Sequence, residues 1–417
     1  MMKRLVVFTT TFPYGSKEPF IENELDYLEA FDEVYYMPLY AEGRVRQINY
    51  PSNVKWIRLA TSRSTSGNII RYILRSLVSR IFYKELFLLV KRRELSFRNI
   101  YHLCEFIGKG YFYSNEAYKE ICKRGLNTSE FYLYSYWMME HSLAAILLSS
   151  KIAVKRMITR VHGYDLYEER ASNHYLPCRE FILKHIDYVF SISNDGRNYL
   201  SKYKAGSILV SRLGTKDHGL AEFSFNNRNA INIVSCSWCV DVKRIDRLIA
   251  SLALIKDEEV NWTHIGDGPL LQGLVDMSNR ILSPNIHVRF LGKMTNDEII
   301  GYYKNSIIDY FINVSASEGI PVSIMEALSF GIPVVATNVG GTPEIVFNAF
   351  NGFLLDSNFP IEELASIIES YSHFEIESIL AMRKNARLSW EENYSAQKNY
   401  SSFYEFITRD IELLVMR

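Results

Sequence analysis

Short apolar strand-like segments alternate with helix-like segments along this chain, and the pattern begins twice. In the first half, Leu5–Thr9 is followed by the helix-like Glu18–Ala30 and by a second candidate strand, Glu33–Pro38. The alternation restarts at Ile231–Ser235, which the helix-like Arg244–Ile255 follows. Strands that alternate with helices favour parallel, doubly wound sheets, and 417 residues are too many for one ordinary core. The sequence therefore predicts an α/β protein with two Rossmann-like domains.

Further candidate elements continue both series. In the first half they are the strands Phe131–Tyr134, Met157–Val161, Tyr188–Ser191 and Ser207–Val210 and the helices Glu140–Ser150 and Cys178–His185. In the second half they are the strands Asn261–Ile265, His287–Phe290, Ile308–Asn313 and Pro333–Thr337 and the helix Leu270–Ile281. The polar stretch Ala221–Asn229 indicates a linker. Because open parallel sheets bind ligands at the carboxyl ends of their strands, we expect the ligand in a cleft between the two domains, which face each other.

The overall composition narrows the class of protein. Lys and Arg together number 47, as do Asp and Glu, so the formal net charge is 0. A dedicated nucleic-acid binder normally carries a basic excess, and we expect no nucleic-acid partner. The chain has no apolar stretch of about 20 residues, and its short first apolar run indicates a buried strand, not a signal peptide. We expect a cytoplasmic protein, or one that lies on the inner face of the cell membrane.

The five cysteines are odd in number and scattered, which favours free thiols over a disulfide framework. Cys236 and Cys239 form a C-x-x-C pair in an apolar, strand-like stretch. Because no second pair and no nearby pair of histidines accompanies them, we expect no zinc site there.

A basic and apolar segment from Arg63 to Arg98 stands out in the first half. Its nine Lys and Arg residues are accompanied by only two acids, Glu85 and Glu94. Apolar residues recur between them at helical spacing: Ile70, Ile73, Leu74, Leu77, Val78, Ile81 and Phe82. A basic amphipathic helix can lie in an anionic membrane surface, where each basic residue contributes about 1 kcal/mol. The pattern also suits a helix packed on the N-terminal sheet with a solvated basic face, or a site for a phosphorylated acceptor.

The stretch from Ser315 to Leu328 carries the clearest chemical signal. A strand-like segment runs into small residues and then into Glu318, Gly319 and Pro321, after which a helix-like segment begins. Pro is favoured in the first turn of a helix, and the N–H groups of that turn suit a diphosphate. Glu326 falls in the second turn, so we expect both carboxylates to face one cleft. One carboxylate can then hold sugar hydroxyls while the other holds a ribose diol.

Seven residues separate Glu318 from Glu326, and this spacing resembles the E-x7-E motif of retaining GT-B glycosyltransferases of family 4. The resemblance continues through Gly331–Thr337 and Gly340–Glu344 and ends at Asn351–Leu355. It implies a GT-B fold and a transferase that moves a sugar from a nucleotide-sugar donor with retention of the anomeric configuration.

The resemblance also implies roles for single residues in this stretch. Glu318 would orient the donor sugar and stabilise the positive charge that develops on it, and Glu326 would hold the ribose. The remaining implied donor contacts of this stretch are Gly319, Ile320 and Val322.

Further donor-binding residues follow from the same resemblance. Lys243 matches the lysine that family members direct at the donor diphosphate, where a point charge balances the charge of the leaving group. The alternative is a solvated lysine at a helix start. The family often has an arginine a few residues earlier, and because this chain lacks it, Arg244 or Arg212 could supply the charge. The other implied donor contacts are Gly266 and Gly268 of a G-x-G-P turn, and Gly292 and Lys293 after a strand.

In the first half, the resemblance rests on loops that follow strands. His162, Tyr164 and Asp165 lie in a segment that is similar to the H-G-x-D loop beside the donor sugar and acceptor. His162 joins Glu318 and Lys243 as a candidate catalytic residue, although a histidine after a strand can be structural and Asp165 can be a loop cap. We do not assign His162 as the general base, because the leaving phosphate is usually held to accept the proton. Gly15 stands where many members have a glycine pair, and it is expected to shape the acceptor side.

The resemblance implies a domain organisation. Residues 1–218 would bind the acceptor, with the basic segment inserted near 63–98, and residues 219–395 would bind the nucleotide-sugar donor. Residues 396–417 would form a helix that crosses back to the first domain, or a simple helix on the second. Because the sequence D-x-D is absent, we expect neither a metal-dependent GT-A enzyme nor any metal or other cofactor.

The implied acceptor is a saccharide or a lipid-linked saccharide in surface polysaccharide biosynthesis. Two alternatives keep the same fold: a non-catalytic scaffold or partner protein, and a sugar-nucleotide epimerase. A phosphorylase would need a lysine for pyridoxal phosphate, which the sequence does not reveal. The base and sugar of the donor, the linkage and the oligomeric state stay open.

Overall fold

The computed structural model describes residues 2–15, 18–59, 66–203, 207–223 and 230–409. The chain divides into two compact units, one formed by residues 1–211 with the chain from Tyr400 on, and the other by Arg212–Asn399. Each unit contains one sheet whose strands are all parallel.

The first unit is built on seven strands: β1 (Arg4–Thr9), β2 (Glu33–Pro38), β3 (Val54–Trp56), β4 (Glu130–Ser135), β5 (Ala153–Val161), β6 (Tyr188–Ser191) and β7 (Ser207–Val210). Their order in the sheet is β3-β2-β1-β4-β5-β6-β7. The helices are α1 (Ser66–Leu77), α2 (Arg80–Arg92), α3 (Phe97–Lys123), α4 (Glu140–Ser149), α5 (Arg179–His185) and α6 (Asn194–Leu200), with 3-10 helices at Pro19–Ala30, Glu168–Arg170 and Ser172–His174.

The second unit has six strands: β8 (Ile231–Cys236), β9 (Val260–Ile265), β10 (Ile286–Phe290), β11 (Tyr310–Asn313), β12 (Val334–Thr337) and β13 (Gly352–Leu355). Their order is β10-β9-β8-β11-β12-β13. Its helices are α7 (Ile245–Leu252), α8 (Leu271–Ile281), α9 (Asn296–Lys304), α10 (Val322–Ser329), α11 (Ile361–Ser370) and α12 (Ile376–Asn393), with 3-10 helices at Asp241–Lys243, Thr342–Glu344 and Tyr371–His373. The last helix, α13 (Ala396–Thr408), begins in this unit and ends in the first.

The strand order creates one special position in each sheet. Chain order reverses between β1 and β4 in the first unit and between β8 and β11 in the second. At such a switch point the helices on either side leave in opposite directions, so the loops at the carboxyl ends of the two strands open a crevice. The core strands are apolar on both faces because helices cover both sides of a parallel sheet.

The second unit begins earlier than the sequence suggested. The backbone N–H of Thr215 donates to Tyr394 O at 3.0 Å, and Ala396 N donates to Thr215 O at 3.0 Å. The Trp390 indole also donates to the Thr215 hydroxyl oxygen at 2.8 Å. These bonds fasten the segment from Arg212 on to the second unit, which moves the division from the expected residues 218/219 to 211/212. Of the expected linker, residues 224–229 lie outside the described residues.

Several expectations about single elements need correction. The helix after β1 is a 3-10 helix, Pro19–Ala30, and the sequence did not suggest β3, β13 or the long helix α3. The basic segment is not one amphipathic helix, because it breaks at Ser79 and again at Arg93. Ser79 caps α2 by accepting from Ile81 N, and Arg93 adopts a left-handed conformation that ends it. Arg63 lies outside the described residues.

A buried ion pair anchors α13 to the first unit. The Arg160 guanidinium donates to Glu24 Oε1 at 2.5 Å, and both side chains are almost fully buried. The Tyr404 hydroxyl of α13 donates to the other carboxylate oxygen of Glu24 at 2.7 Å. Arg160 also lies over the Phe403 ring, 4.2 Å from its centroid. The charges thereby gain the partners that burial requires.

No helix in the described part of the chain combines the length and the apolar character needed to cross a membrane. The longest helix, α3, has 27 residues, but charged and polar side chains interrupt it throughout.

Candidate active site

The candidate donor site lies at the switch point of the second unit. Lys243 belongs to the loop that leaves β8, and Glu318 to the loop between β11 and α10. A backbone bond from Ala316 N to Val242 O, 2.7 Å long, joins the two loops. Lys243 and Glu318 are 75 positions apart in the sequence. The fold brings them together at the carboxyl ends of adjacent strands.

Glu318 is buried and has two polar neighbours. Lys243 Nζ donates to Glu318 Oε1 at 2.5 Å, and the amide nitrogen of Asn313 lies 3.5 Å from the same oxygen. Asn313 closes β11 and accepts a bond from Ser315 N at 3.2 Å, which shapes the turn that follows. A lysine ammonium has three N–H donors, so the bond to Glu318 uses one of them. Asn313 is a residue that the sequence did not single out.

The backbone around Glu318 is fixed by a glycine of the next loop. Gly340 has φ 52°, and a Cβ added there would lie 1.9 Å from the carbonyl oxygen of Glu318. The neighbouring Gly341 donates its N–H to Gly319 O at 2.8 Å. Only glycine permits so close an approach in this backbone conformation, so the second loop holds the first in place.

The helix α10 begins one residue later than the sequence suggested. Pro321 is its N-cap, with Val322 as the first helical residue, because the chain at Pro321 is still extended at ψ 124°. Gly319 and Ile320 precede the helix, and Ile320 is buried. The helix dipole favours an anion near the N-terminus of α10. The expected diphosphate contacts of Gly319, Ile320 and Val322 stay predictions.

Glu326 lies in the second turn of α10, as expected, and is buried. The Asn296 side chain donates to Glu326 Oε1 at 2.8 Å. Burial raises the pKa of Glu326 to about 7, although the bond from Asn296 acts in the opposite direction. Asn296 begins α9 and escaped notice in the sequence, because one asparagine in a helix-like segment carries no distinctive pattern.

Cys236 interacts electrostatically with both Glu326 and Lys243. Burial and the Glu326 carboxylate raise the pKa of its thiol to about 12, while Lys243 acts to lower it. Cys239 instead contacts His264, with Sγ 3.3 Å from Nε2, and burial lowers the pKa of His264 to about 4. Among the described residues no group of three or more His, Cys, Asp and Glu could hold a metal. Both cysteines are free thiols, and the expected independence from metal stays a prediction.

Arg244 and Arg212, offered as substitutes for the missing arginine, are engaged elsewhere. Arg244 donates to the carbonyl oxygens of Val314 at 2.7 Å, Ser315 at 2.9 Å and Ser357 at 2.6 Å. This geometry favours a role in holding the loop after β11. Arg212 pairs with Glu344, with 3.2 Å between Nη2 and Oε2.

The glycine turn after β9 packs tightly on the loop after β8. A Cβ on Gly266, whose φ is 151°, would lie 1.8 Å from Ser237 O. Gly266 N also donates to Gly292 O at 2.9 Å, which links the loops after β9 and β10. Gly268 approaches the Cys239 backbone in the same way. Lys293 is exposed beside this turn, and its donor contact stays a prediction.

In the first unit, His162 follows β5 and lies among aromatic rings. Its ring centroid is 4.9 Å from that of Tyr136 and 4.5 Å from that of Trp137. His162 is buried, and neither ring nitrogen makes a hydrogen bond in the described structure, with Nδ1 3.9 Å from Asp165 Oδ2. Buried polar atoms are normally satisfied, so both ring nitrogens have hydrogen-bonding capacity to spare.

Asp165 connects two loops at the carboxyl edge of the sheet. Its carboxylate accepts from His162 N at 2.8 Å and from Met138 N at 2.8 Å. Burial acts to raise the pKa of Asp165, but the neighbouring His162 imidazole and the backbone N–H groups of His162 and Met138 lower it overall. Arg179, which the sequence analysis missed, donates to Asp165 O at 2.7 Å. Asp165 therefore caps the loop, while Tyr164 is exposed.

Glu18 organises the loop after β1. Its carboxylate accepts from the backbone N–H groups of Thr10 at 3.1 Å, Thr11 at 2.7 Å and Phe12 at 2.9 Å. It also accepts from the Trp137 indole at 2.6 Å. Burial acts to raise the pKa of Glu18, and these bonds lower it overall. The loop after β1 is thereby tied to Trp137, which contacts His162.

Gly15 lies at the end of the same loop. Its φ is 63°, and its carbonyl oxygen accepts from Arg46 Nε at 2.7 Å. The next residue, Ser16, lies outside the described residues. The expected role of Gly15 in shaping the acceptor side stays a prediction.

The second unit is similar to a known protein family. Residues 222–389 match the model of the family described as glycosyl transferases group 1. The matched segment lies within the second unit. It includes the loops that carry Lys243, Glu318 and Glu326.

Individual glycosyltransferases are similar over longer stretches. An uncharacterized glycosyltransferase of Methanocaldococcus jannaschii is 26% identical over 70% of this chain and 80% of its own length. The putative colanic acid biosynthesis glycosyltransferase WcaL of Escherichia coli is 25% identical over 58% of this chain. The match spans 61% of the length of WcaL.

A solved structure shows the fold. Sucrose-phosphate synthase from Thermosynechococcus elongatus is 16% identical, covers 100% of both chains and superposes with a TM-score of 0.71. The chain has two Rossmann-like units, each built on a parallel sheet. Together with this match, they confirm the GT-B fold expected from the sequence.

Proposed function

We propose that this protein is a retaining glycosyltransferase of family 4 that uses a nucleoside-diphosphate sugar as its donor. The observation that carries the proposal is the contact between Lys243 and Glu318 at the switch point of a group 1 glycosyltransferase domain. Glu326, which seven residues separate from Glu318, completes the E-x7-E pattern.

The proposed reaction exchanges one glycosidic bond for another. The bond between the anomeric carbon and the diphosphate oxygen breaks, and an acceptor hydroxyl oxygen bonds the same face of that carbon. The proton of the hydroxyl passes to the departing phosphate oxygen. Negative charge therefore grows on the diphosphate while positive charge grows on the sugar ring, and a catalyst must stabilise both.

Lys243 and Glu318 match these two charges. The Lys243 ammonium has N–H donors beyond the one that bonds Glu318, and they can bond the departing phosphate. The Glu318 carboxylate can hold sugar hydroxyls and stabilise the positive charge on the ring. A fixed ammonium supplies the charge that a metal ion would otherwise supply, so we propose a reaction that needs no metal.

Glu326 is proposed to bind the ribose of the donor. Its carboxylate is buried and accepts one described hydrogen bond, from Asn296, which leaves lone pairs for a diol. We expect Glu326→Ala to weaken donor binding by about 1–3 kcal/mol, the cost of leaving buried hydroxyls unpaired. Unchanged donor affinity in this variant would contradict the role.

We propose that the first unit binds a saccharide or lipid-linked saccharide acceptor. The imidazole of His162 and the neighbouring Tyr136 and Trp137 support this assignment, because aromatic rings and unsatisfied polar atoms suit the faces and hydroxyls of a sugar. A role in surface polysaccharide biosynthesis is proposed from the resemblance to WcaL, whose name refers to colanic acid.

The experiment is a thermal-shift panel of UDP-, GDP-, ADP- and TDP-sugars in the presence of EDTA. We expect one donor to stabilise the protein and to release its nucleotide slowly, and NMR of the product to show the donor's anomeric configuration. Glu318→Ala should abolish release, and Lys256→Ala, an exposed lysine elsewhere in the second unit, should change neither property. A donor converted to its epimer without an acceptor would instead indicate an epimerase. Absence of binding to every nucleotide would favour a scaffold.

A further inference from the structure

Large apolar side chains are concentrated on the outer faces of α1, α2 and the start of α3. Across the described residues, ten of the twenty-four large apolar side chains that are exposed fall between residues 70 and 101, a thirteenth of the chain's length. They are Ile70, Leu74, Leu77, Val78, Tyr83, Phe87, Val90, Leu95, Phe97 and Tyr101. Exposed apolar side chains that are concentrated in this way mark an interaction site.

The exposure follows from the helical repeat. In α2, Tyr83, Phe87 and Val90 recur at intervals of four and three residues and so lie on one face. The opposite face, with Ile81, Phe82 and Leu89 among its residues, is buried in the core of the first unit. The core of the unit is thus already supplied with apolar residues from α2. The exposed apolar face of α2 does not contribute to this core.

Basic side chains border the exposed apolar residues. On α2, Arg80, Lys84 and Lys91 recur at intervals of four and seven and are exposed next to the stripe of Tyr83, Phe87 and Val90. On α1 and at the two ends of the α2–α3 turn, the exposed basic residues are Arg71, Arg75, Arg93 and Arg98. The acid of α2, Glu85, is buried and bonds Cys178 N instead.

A cavity adjoins this surface. Its volume is about 570 Å³, and it is lined by Leu74 and Arg75 of α1, by Val78 directly after α1, and by Tyr111 and Phe112 of α3, among others. The cavity is mixed in character, with aromatic walls and the Arg75 guanidinium 4.3 Å from the Tyr111 ring centroid. Such a recess suits an amphiphile that presents an acyl chain beside an anionic group.

We propose that the outer faces of α1, α2 and the start of α3, here called the docking surface, bind an anionic lipid bilayer. Apolar side chains would enter the boundary between headgroups and acyl chains, and the bordering Lys and Arg side chains would pair with lipid phosphates. A second copy of this chain fits less well, because a two-fold contact would bring Arg80, Lys84 and Lys91 against the same cations.

The test is co-sedimentation of the full chain with phosphatidylcholine vesicles that contain or lack phosphatidylglycerol. We expect binding to the anionic vesicles only, and weaker binding at high ionic strength. The charge variant Arg80→Glu, Lys84→Glu, Lys91→Glu and the apolar variant Tyr83→Ser, Phe87→Ser, Val90→Ser should each lower the partition coefficient at least about tenfold.

Two controls make the result specific. The variant Lys123→Glu, Lys202→Glu, Lys256→Glu changes the net charge by the same amount at exposed sites outside the docking surface, and it should sediment like the unaltered protein. Thermal stabilisation by the best nucleotide-sugar should be the same in all variants, which shows that they are folded and separates this proposal from the proposed reaction. Equal sedimentation of all proteins, or none with anionic vesicles, would overturn the proposal. So would self-association without lipid that only the docking-surface variants lose.

Discussion

The ammonium nitrogen of Lys243 lies 2.5 Å from Oε1 of Glu318, so a cation from the loop after β8 and an acid from the loop after β11 meet at one point. Both loops leave the carboxyl ends of adjacent strands at the position where strand order reverses. The pair is neither fully buried nor freely solvated, with side-chain exposures of 24% and 11%. A ligand could therefore reach both groups, and the pair links the fold to the proposed chemistry.

Removing the Lys243 charge should slow the reaction more than it weakens donor binding. The charge on the diphosphate is largest in the transition state, so Lys243→Met is expected to lower kcat by about a hundredfold or more. Measured kcat and donor Kd test this, with Lys256→Met as a control at an exposed position. A variant that loses only donor affinity would show that Lys243 acts equally on ground and transition states.

Glu326 should make folding stability depend on pH. Burial raises its pKa to about 7 in the folded state, from 4.5 for an exposed glutamate. As pH rises, the unfolded chain therefore loses this proton first. The free energy of unfolding falls progressively between about pH 4.5 and 7 and stays at the lower value at higher pH. The penalty reaches about 3 kcal/mol.

The Glu326→Gln variant removes this ionisation and tests the effect. Urea unfolding at several pH values should show the unaltered protein losing stability relative to the variant as pH rises through this window. A constant difference from pH 4 to pH 8 (roughly the span that brackets both pKa values) would contradict the raised pKa.

Gly340 should be intolerant of a side chain. The Cβ of Gly340→Ala would meet the Glu318 carbonyl oxygen, and the residue has a positive φ, so we expect a loss of about 1–3 kcal/mol in stability. Activity should fall further than stability predicts, because the shift displaces Glu318. The control is Gly273→Ala in α8, where nothing lies within 4 Å of the added Cβ. That change should be neutral or slightly stabilising, as thermal unfolding and turnover would show.

The buried pair of Arg160 and Glu24 should be costly to break. Glu24→Gln leaves the guanidinium without its charged partner in the core, at an expected cost of about 3–5 kcal/mol in unfolding free energy. In contrast, Glu116→Gln removes the partner of the exposed Lys119 and should cost about 0–1 kcal/mol. Chemical denaturation compares the two. Similar small losses would show that Arg160 finds compensation from the surrounding aromatic rings.

Local patterns predicted much of the fold. Short apolar runs such as Tyr188–Ser191 were recognised to the residue, because a parallel strand covered on both faces is apolar throughout. The strand β3 was not predicted, because it is short and two of its three residues are exposed. The long helix α3 escaped because its glycines and aromatic residues disguise the helical repeat.

Long-range contacts limited the prediction of the site. Lys243, Glu318 and Glu326 could be named because they stand in an ordered motif. Asn296 and Asn313, which bond the two glutamates, could not, because only the folded chain brings them there. The use of Arg244 for three carbonyl oxygens was equally invisible, since a charged residue beside a lysine looks like a second ligand for the diphosphate.

The most direct test of the central claim is the rate of nucleotide release from the best donor, measured with and without acceptor in EDTA. We predict that acceptor accelerates release in the unaltered protein, and that Glu318→Gln loses this release while it still binds the donor. A Glu318→Gln protein that transfers sugar at the unaltered rate would contradict the assignment of this glutamate and of the site built around it.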